Sequence, residues 1–369
     1  MRIHRALLAA FLVALVASWG AYARTPVTLL YAANLRADSI SAWTIGPDGR
    51  LDAVPGSPFP TGGKPTTLAA DPEGRTLYVT EQTSCAIAGY RIGSNGTLTP
   101  LPNSPWALTC SPLGDLVDPS GRFLFASEGP PGNDVVTFLR HTDGTLRRRA
   151  VTALGSATQP AALACDAGGT HVFVADCSTC TLATFALGAD GSLRAYGGRP
   201  AATGVFPQAI AVCSSSVDGS ATSGSREFVY VPVASRNGLY GYSITAGREA
   251  VTPLEGSPFA TGPDPSCAVI SAGQTLYVSD YQTGRIAGYR IDPDNGQLTP
   301  LHGSPFPTGA SSLRTMAVVP GRGLLYAADN VASRIHGFRI APLTGRLVPL
   351  RGRPASADDS PVSLAVVRR

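Results

Sequence analysis

Seven short apolar runs, each centred on an aromatic residue, recur along the chain: Leu30-Tyr31-Ala32, Leu77-Tyr78-Val79, Leu124-Phe125-Ala126, Val172-Phe173-Val174, Val229-Tyr230-Val231, Leu276-Tyr277-Val278 and Leu325-Tyr326-Ala327. Their aromatic positions step by 47, 47, 48, 57, 47 and 49 residues. Around each anchor, short runs of β-branched and aromatic residues alternate with turn residues, which is the signature of strands rather than helices. In the second unit the pattern predicts strand A at Thr66 to Asp71, strand B at Thr76 to Thr80, strand C at Ile87 to Ile92 and strand D at Leu98 to Leu101. The separating turns carry their own chemistry. Asp71-Pro72-Glu73-Gly74 and Asp118-Pro119-Ser120-Gly121 lie between A and B, where Pro presets φ and Gly accepts a positive φ. Asp48-Gly49, Asn95-Gly96, Asp143-Gly144, Asp190-Gly191 and Asn295-Gly296 lie between C and D, the strongest short-range hairpin signal.

A period near 47 with four strands per unit predicts an all-β, seven-bladed β-propeller of four antiparallel strands per blade. The chain enters at a strand B, Leu29 to Ala33, and ends in Pro361-Val362-Ser363-Leu364-Ala365-Val366, which matches the strand A of the other units. The C-terminal strand is therefore expected to complete the first blade and remove the open edge. The heptapeptide GSPFPTG at 56–62 and 303–309, with GSPFATG at 256–262, follows each strand D and leads inward to the next blade. Phe59, Trp106, Phe259 and Phe306 are then placed to plug the gaps between blades. One A–B turn departs from the pattern: Cys213 to Arg226 is a Ser- and Gly-rich insertion.

Composition adds little that is specific. Gly (41) and Pro (31) are abundant, as a turn-rich β protein requires. Arg2 and Arg5, the apolar run from Ala6 to Ala17 and Ala21-Tyr22-Ala23 read as a signal peptide over residues 1–23, leaving 24–369 as one propeller domain. Export to the periplasm or outside the cell follows as an expectation. The apolar core is too short to span a bilayer, so no membrane insertion is expected. Without Arg2 and Arg5 the balance is 27 basic to 25 acidic side chains, which gives no reason to expect a nucleic-acid partner. A monomer with an unidentified small ligand or protein partner at a propeller face, and no cofactor or metal, is the expected state. The seven cysteines of an exported chain meet an oxidising compartment. Cys85 falls in a B–C loop and Cys110 in the following D–A loop, on one face, so a Cys85–Cys110 bridge is expected, with a local Cys177–Cys180 bridge beside it. Cys165, Cys213 and Cys267 fall on inner strands as small buried residues.

The YV anchors followed by an acidic or amide residue, with the DPxG, DGxL and GSPF motifs over seven units, resemble the lactonase-type seven-bladed propeller family. Tyr78-Val79-Thr80-Glu81 and Tyr277-Val278-Ser279-Asp280 are also similar to the YVTN-type repeats of surface and periplasmic propellers. The resemblance implies kinship with 6-phosphogluconolactonase and carboxymuconate cyclases. It also implies a Pro-His pair at the start of an inner strand. Here those starts read Pro65-Thr66, Pro112-Leu113, Pro160-Ala161, Pro207-Gln208, Pro265-Ser266 and Pro361-Val362, without His.

Two sets of residues stand out as candidates. Asn34, Glu81, Glu128, Asp176, Asp280 and Asp329 close the B strands of six blades, Val233 replacing them in the fifth. They read either as a ligand-attracting rim or as acceptors for their own B–C turns. On the inner strands, Asp115 is the one carboxylate among Leu68, Leu163, Ile210, Ala268, Met316 and Leu364, and Arg314 the one charge at the strand entrances, where Gln208 also stands. If the chain is catalytic, Asp115 is the acid or base and Arg314 holds an anionic group. The histidine-free entrances favour a non-catalytic binding or scaffold propeller. The alternative is a lactonase or cycloisomerase acting on a small carboxylated or phosphorylated lactone.

Overall fold

A computed structural model describes residues 27–109, 112–215, 226–236, 238–245, 250–272 and 274–369. The expected signal peptide, Cys110 and most of the 213–226 insertion lie outside these residues. Among them, strands fall into seven antiparallel sheets. Blades 2 to 7 follow in chain order. Blade 2 is built from Pro65–Ala70, Thr76–Glu81, Ala86–Ile92 and Leu98–Pro100, within two residues of the sequence expectation. The C-terminal strand Pro361–Arg368 pairs with Thr28–Asn34 and closes blade 1 from both ends of the chain. No helix is long and apolar enough to cross a membrane among the described residues.

The apolar anchors explain why the blades stack. Strand side chains alternate between faces, and here both faces of every strand B are buried, so the runs are apolar throughout. Leu29 and Tyr31 face blade 2, packing with Leu77 and Val79. Leu30 and Ala32 face blade 7, packing with Leu324 and Tyr326. Seven such clusters occupy the seven seams in turn.

A polar clip accompanies this packing. The hydroxyl of each anchoring tyrosine donates to the carbonyl of the C–D hairpin glycine in the following blade. Tyr31 reaches Gly96 (2.8 Å), Tyr78 reaches Gly144 (2.7 Å), Tyr230 reaches Gly296 (2.7 Å) and Tyr277 reaches Gly345 (2.5 Å). Tyr326 of blade 7 reaches Gly49 of blade 1 (2.5 Å), so the clip also crosses the closure. Blades 3 and 4 carry Phe125 and Phe173 at this position and can offer no hydroxyl. The seam between blades 2 and 3, already clipped by Tyr78, also holds the buried Arg140 guanidinium, which joins Asp71, the Tyr78 hydroxyl (3.1 Å) and the Gly121 carbonyl (3.0 Å).

The GSPF segment does what its position suggested. Ser57, Ser104, Ser257 and Ser304 each accept the N–H of a strand C residue, Ala42, Gly89, Gly241 and Gly288, at 2.8–2.9 Å. Phe59, Trp106, Phe259 and Phe306 then pack into the seam clusters. Strand C is glycine at Gly89, Gly241 and Gly288 because an added Cβ would run into Trp106, Phe259 and Phe306 respectively.

A buried tyrosine hydroxyl bonded to a carbonyl contributes about 1 kcal/mol net. Tyr326→Phe is expected to lower unfolding free energy by about that amount in urea titration, leaving a free buried carbonyl at the closing seam. Deleting residues 361–369 should abolish the cooperative thermal transition altogether, since it strips the inner strand from blade 1. A truncated chain melting like the intact one would refute the closure.

Candidate functional site

The inner strands share a distortion that shapes the funnel. In blade 2, Pro65 pairs with Glu81 and Thr67 with Thr80, leaving Thr66 without a ladder partner. The same one-residue bulge isolates Leu113, Ala161, Ser266, Arg314 and Val362 in blades 3, 4, 6, 7 and 1. Blade 5 reaches the same point through an isolated bridge at Pro207, with Gln208 beyond it. A bulge re-aims its extra residue, and such devices gather near binding sites. Except in blade 7, where Leu313 stands, the residue before the bulge is a proline, which has no N–H to lose and suits the first position of a strand. Here all seven entrance residues line one cavity of about 790 Å³ at the propeller axis, within the range of small-molecule sites.

Asp115 and Arg314 both line this cavity. Asp115 lies deeper on strand A of blade 3, Pro112–Val117. Both of its carboxyl oxygens are closed to solvent and neither makes a hydrogen bond of normal geometry. Burial raises its pKa from 3.8 to about 7, with the Thr67 hydroxyl opposing part of the rise. At the mouth, Arg314 Nη1 donates to Gln208 Oε1 at 3.0 Å, which fixes the guanidinium across the funnel from blade 7 to blade 5. A second guanidinium group, Arg36, lines the same cavity from the B–C turn of blade 1. Sequence reasoning missed it, because the seven B–C turns share no pattern that would mark one residue among them.

The five carboxylates at the ends of the B strands accept main-chain N–H groups, and Asn34 bonds to side-chain hydroxyls. Glu81 accepts the Gly62 N–H at 2.7 Å and the Ser84 hydroxyl at 2.8 Å. Asp176 accepts the Gln159 and Thr179 N–H groups (2.6 and 2.7 Å), and Asp280 those of Asp264 and Thr283 (3.2 and 2.7 Å). Asp329 accepts those of Ser311 and Ala332 (2.6 and 2.9 Å). One donor comes from the incoming D–A loop and the other from the B–C turn, so each carboxylate staples the two loops of its blade. The final glycine of the heptapeptide makes room: a Cβ at Gly62 or Gly262 would overlap the carboxylate of Glu81 or Asp280. Asn34 donates to Ser39 and Ser41 (3.0 and 2.9 Å), and Glu128 accepts the Thr109 N–H. Opposite Glu128 on the ladder, Asp134 has its pKa pushed up to about 6 by burial and by that carboxylate.

The local disulfide expected between Cys177 and Cys180 is not formed, and both cysteines are free. The Cys177 thiol turns to the Pro207 carbonyl of the next blade (3.4 Å), while Cys180, at φ +55°, turns back to the Cys177 carbonyl (3.7 Å). Cys85 is also free, and Cys110, its expected partner, lies outside the described residues. Cys165, Cys213 and Cys267 sit on inner strands as expected. None of His141, His171, His302 and His336 lines the axial cavity.

Comparison with known proteins places this geometry. No curated protein matches the chain. Among solved structures, the periplasmic gluconolactonase PpgL of Pseudomonas aeruginosa is similar at TM-score 0.76 and 19% identity, over 93% of this chain and 99% of that one. A Bacteroides uniformis protein provisionally assigned as a 6-phosphogluconolactonase follows at 0.75 and 17%, over 93% and 99%. A Lactobacillus plantarum protein follows at 0.75 and 14%, over 93% and 100%. At these identities the likeness is one of fold. The sequence profile described as "Lactonase, 7-bladed beta-propeller" matches residues 25–109 and 219–362. With more than half of its length matched, the chain belongs to the seven-bladed β-propeller lactonase family.

Proposed function

We propose that the protein is a lactonase that hydrolyses a small carboxylated or phosphorylated lactone in the axial funnel. One observation carries the reading: a buried carboxyl group, its pKa raised by burial, and two guanidinium groups line the same cavity. Family membership supports turnover over a purely scaffolding role. The run of residues 1–23 and the likeness to a periplasmic gluconolactonase support action in the periplasm.

The chemistry requires little more than these groups. As a carboxylate, Asp115 takes a proton from a water molecule as its oxygen attacks the lactone carbonyl. The acyl carbon–ring oxygen bond then breaks, and the protonated Asp115 returns the proton to the departing alkoxide. Arg314, held by Gln208, binds the substrate's anionic group, and Arg36 adds positive potential at the mouth. A carboxyl with a pKa near the working pH serves both half-steps.

A lactone hydrolysis panel, including glucono-δ-lactone and phosphorylated and carboxylated analogues, tests the assignment. Asp115→Asn should lower kcat by ~10²-fold or more, whereas Arg314→Ala should chiefly raise KM for the anionic substrate. Because Asp115 acts first as a base, kcat/KM should rise with pH through about 7. No turnover of any lactone by the intact chain would leave the histidine-free entrances pointing to ligand binding without catalysis.

The same carboxyl governs stability in a defined direction. Its pKa is raised on folding, so its favourable contribution is fully present below 3.8 and is lost as pH rises through about 7. Asp115→Asn should remove this loss. The melting temperature of the variant is expected to gain on that of the parent between pH 4 and 7 and to run parallel above it. A constant difference across that window would mean that Asp115 is not desolvated in the fold.

A further inference from the structure

On the face opposite the funnel mouth, three chemically capable side chains meet at the seam between blades 4 and 5. Asp166 stands in the A–B turn of blade 4, His171 opens its strand B, His171–Asp176, and Glu227 lies on strand B of blade 5, Arg226–Val233. Their donor atoms lie within 4.8 Å of one another. His171 Nδ1 is 3.4 Å from Asp166 Oδ2 and 3.4 Å from Glu227 Oε2. That is long for a charge-assisted hydrogen bond, which runs to ~2.7–2.9 Å. It is the separation of neighbouring ligands around a tetrahedral ion with bonds of ~2.0–2.1 Å, because such bonds place their outer atoms ~3.4 Å apart.

Two further observations point to a missing cation. Glu227 Oε2 is closed to solvent and makes no hydrogen bond of normal geometry, its contact with the His171 ring nitrogen being the long 3.4 Å one, a costly state for a carboxylate oxygen. Asp166 is also set in advance. Its Oδ1 accepts the Thr170 and His171 N–H groups (2.7 and 2.8 Å) and the Cys165 thiol (3.6 Å), leaving Oδ2 turned toward the imidazole. The Thr170 hydroxyl lies 2.5 Å from Oδ2 and 3.1 Å from His171 Nδ1, a further oxygen at the same point. The Tyr196 ring meets the imidazole edge-on at 4.6 Å between centroids and fixes its plane.

We propose that Asp166, His171 and Glu227 bind a divalent transition-metal ion of the zinc class that ties blade 4 to blade 5. An imidazole nitrogen with two carboxylates suits zinc better than calcium or magnesium, which take all-oxygen shells. The location gives the ion a structural purpose. Blade 4 carries Phe173 where five blades carry the clipping tyrosine, so this seam has no hydroxyl clip from the anchor position. Two ligands from blade 4 and one from blade 5 would supply the tie.

The competing arrangement is a proton in place of the metal. Burial disfavours charge on His171, yet the carboxylates of Asp166 and Glu227 raise its pKa to about 9. Chelator-treated full chain titrated with ZnCl₂, beside CaCl₂ and MgCl₂, separates the two. The expected result is one tightly bound equivalent of zinc and a melting-temperature rise of ~5 °C at a hundredfold excess over Kd, with no comparable response to the other ions. CoCl₂ should give the intense visible absorption of a tetrahedral site. His171→Ala and Glu227→Gln should each weaken zinc binding at least tenfold. Glu227→Gln keeps the side-chain shape and so serves if His171→Ala fails to fold. Three outcomes would overturn the proposal: no zinc response in the parent chain, an undiminished response in both variants through the cysteines, or variants that lose stability equally with and without zinc. The last would mark a proton-bridged ion pair.

Discussion

The ring depends on a hydroxyl passed from one blade to the next across five of its seven seams. A propeller has no central core, only seams, and apolar packing across a seam is tolerant of sliding. The tyrosine hydroxyl removes that freedom. It ties the second strand of one blade to the hairpin carbonyl of its neighbour, at a glycine whose positive φ turns that carbonyl inward, as at Gly96 (φ +88°) and Gly49 (φ +91°). Because Tyr326 makes the same bond to Gly49, the closing seam is held like the four other clipped seams. The funnel inherits its shape from this regularity: inner strands held at equal rotation present their entrance residues to one axis.

Around that axis the structure separates scaffolding charge from free charge. Glu81, Asp176, Asp280 and Asp329 lie among donors from their own blade's loops. Asp115 lies at the other extreme, buried without a hydrogen bond of normal geometry to either oxygen. A buried acid of this kind is costly, and it lines the axial cavity.

Much of this was legible in the sequence. The aromatic anchors, the Asn-Gly and Asp-Gly hairpins and the absent first inner strand implied the blade count and the closure, because each rests on contacts within one unit or on simple repetition. Asp115 and Arg314 were visible as exceptions to an aligned column. What escaped were relations between units. The pairing of each tyrosine hydroxyl with the next blade's glycine depends on how blades rotate against each other. Arg36 sits on a turn with no repeat to stand out from. Glu227 follows the one insertion that breaks the period, so its approach to His171 could not be counted along the chain. Cys177 and Cys180 misled because their spacing permits a bridge, while the turn aims their thiols at different carbonyls.

The bulge at each inner-strand entrance has a consequence for how such proteins change. A residue without a ladder partner can be exchanged without disturbing the strand pairing on either side of it. Threonine, leucine, alanine, serine, arginine and valine already occupy six of these places in one chain. Apart from Ser266, whose hydroxyl donates to the Leu313 carbonyl of the next blade, these positions are open to drift and selection at little structural risk. The chemistry presented to the axis can change there by single substitutions while the ring beneath stays as it was.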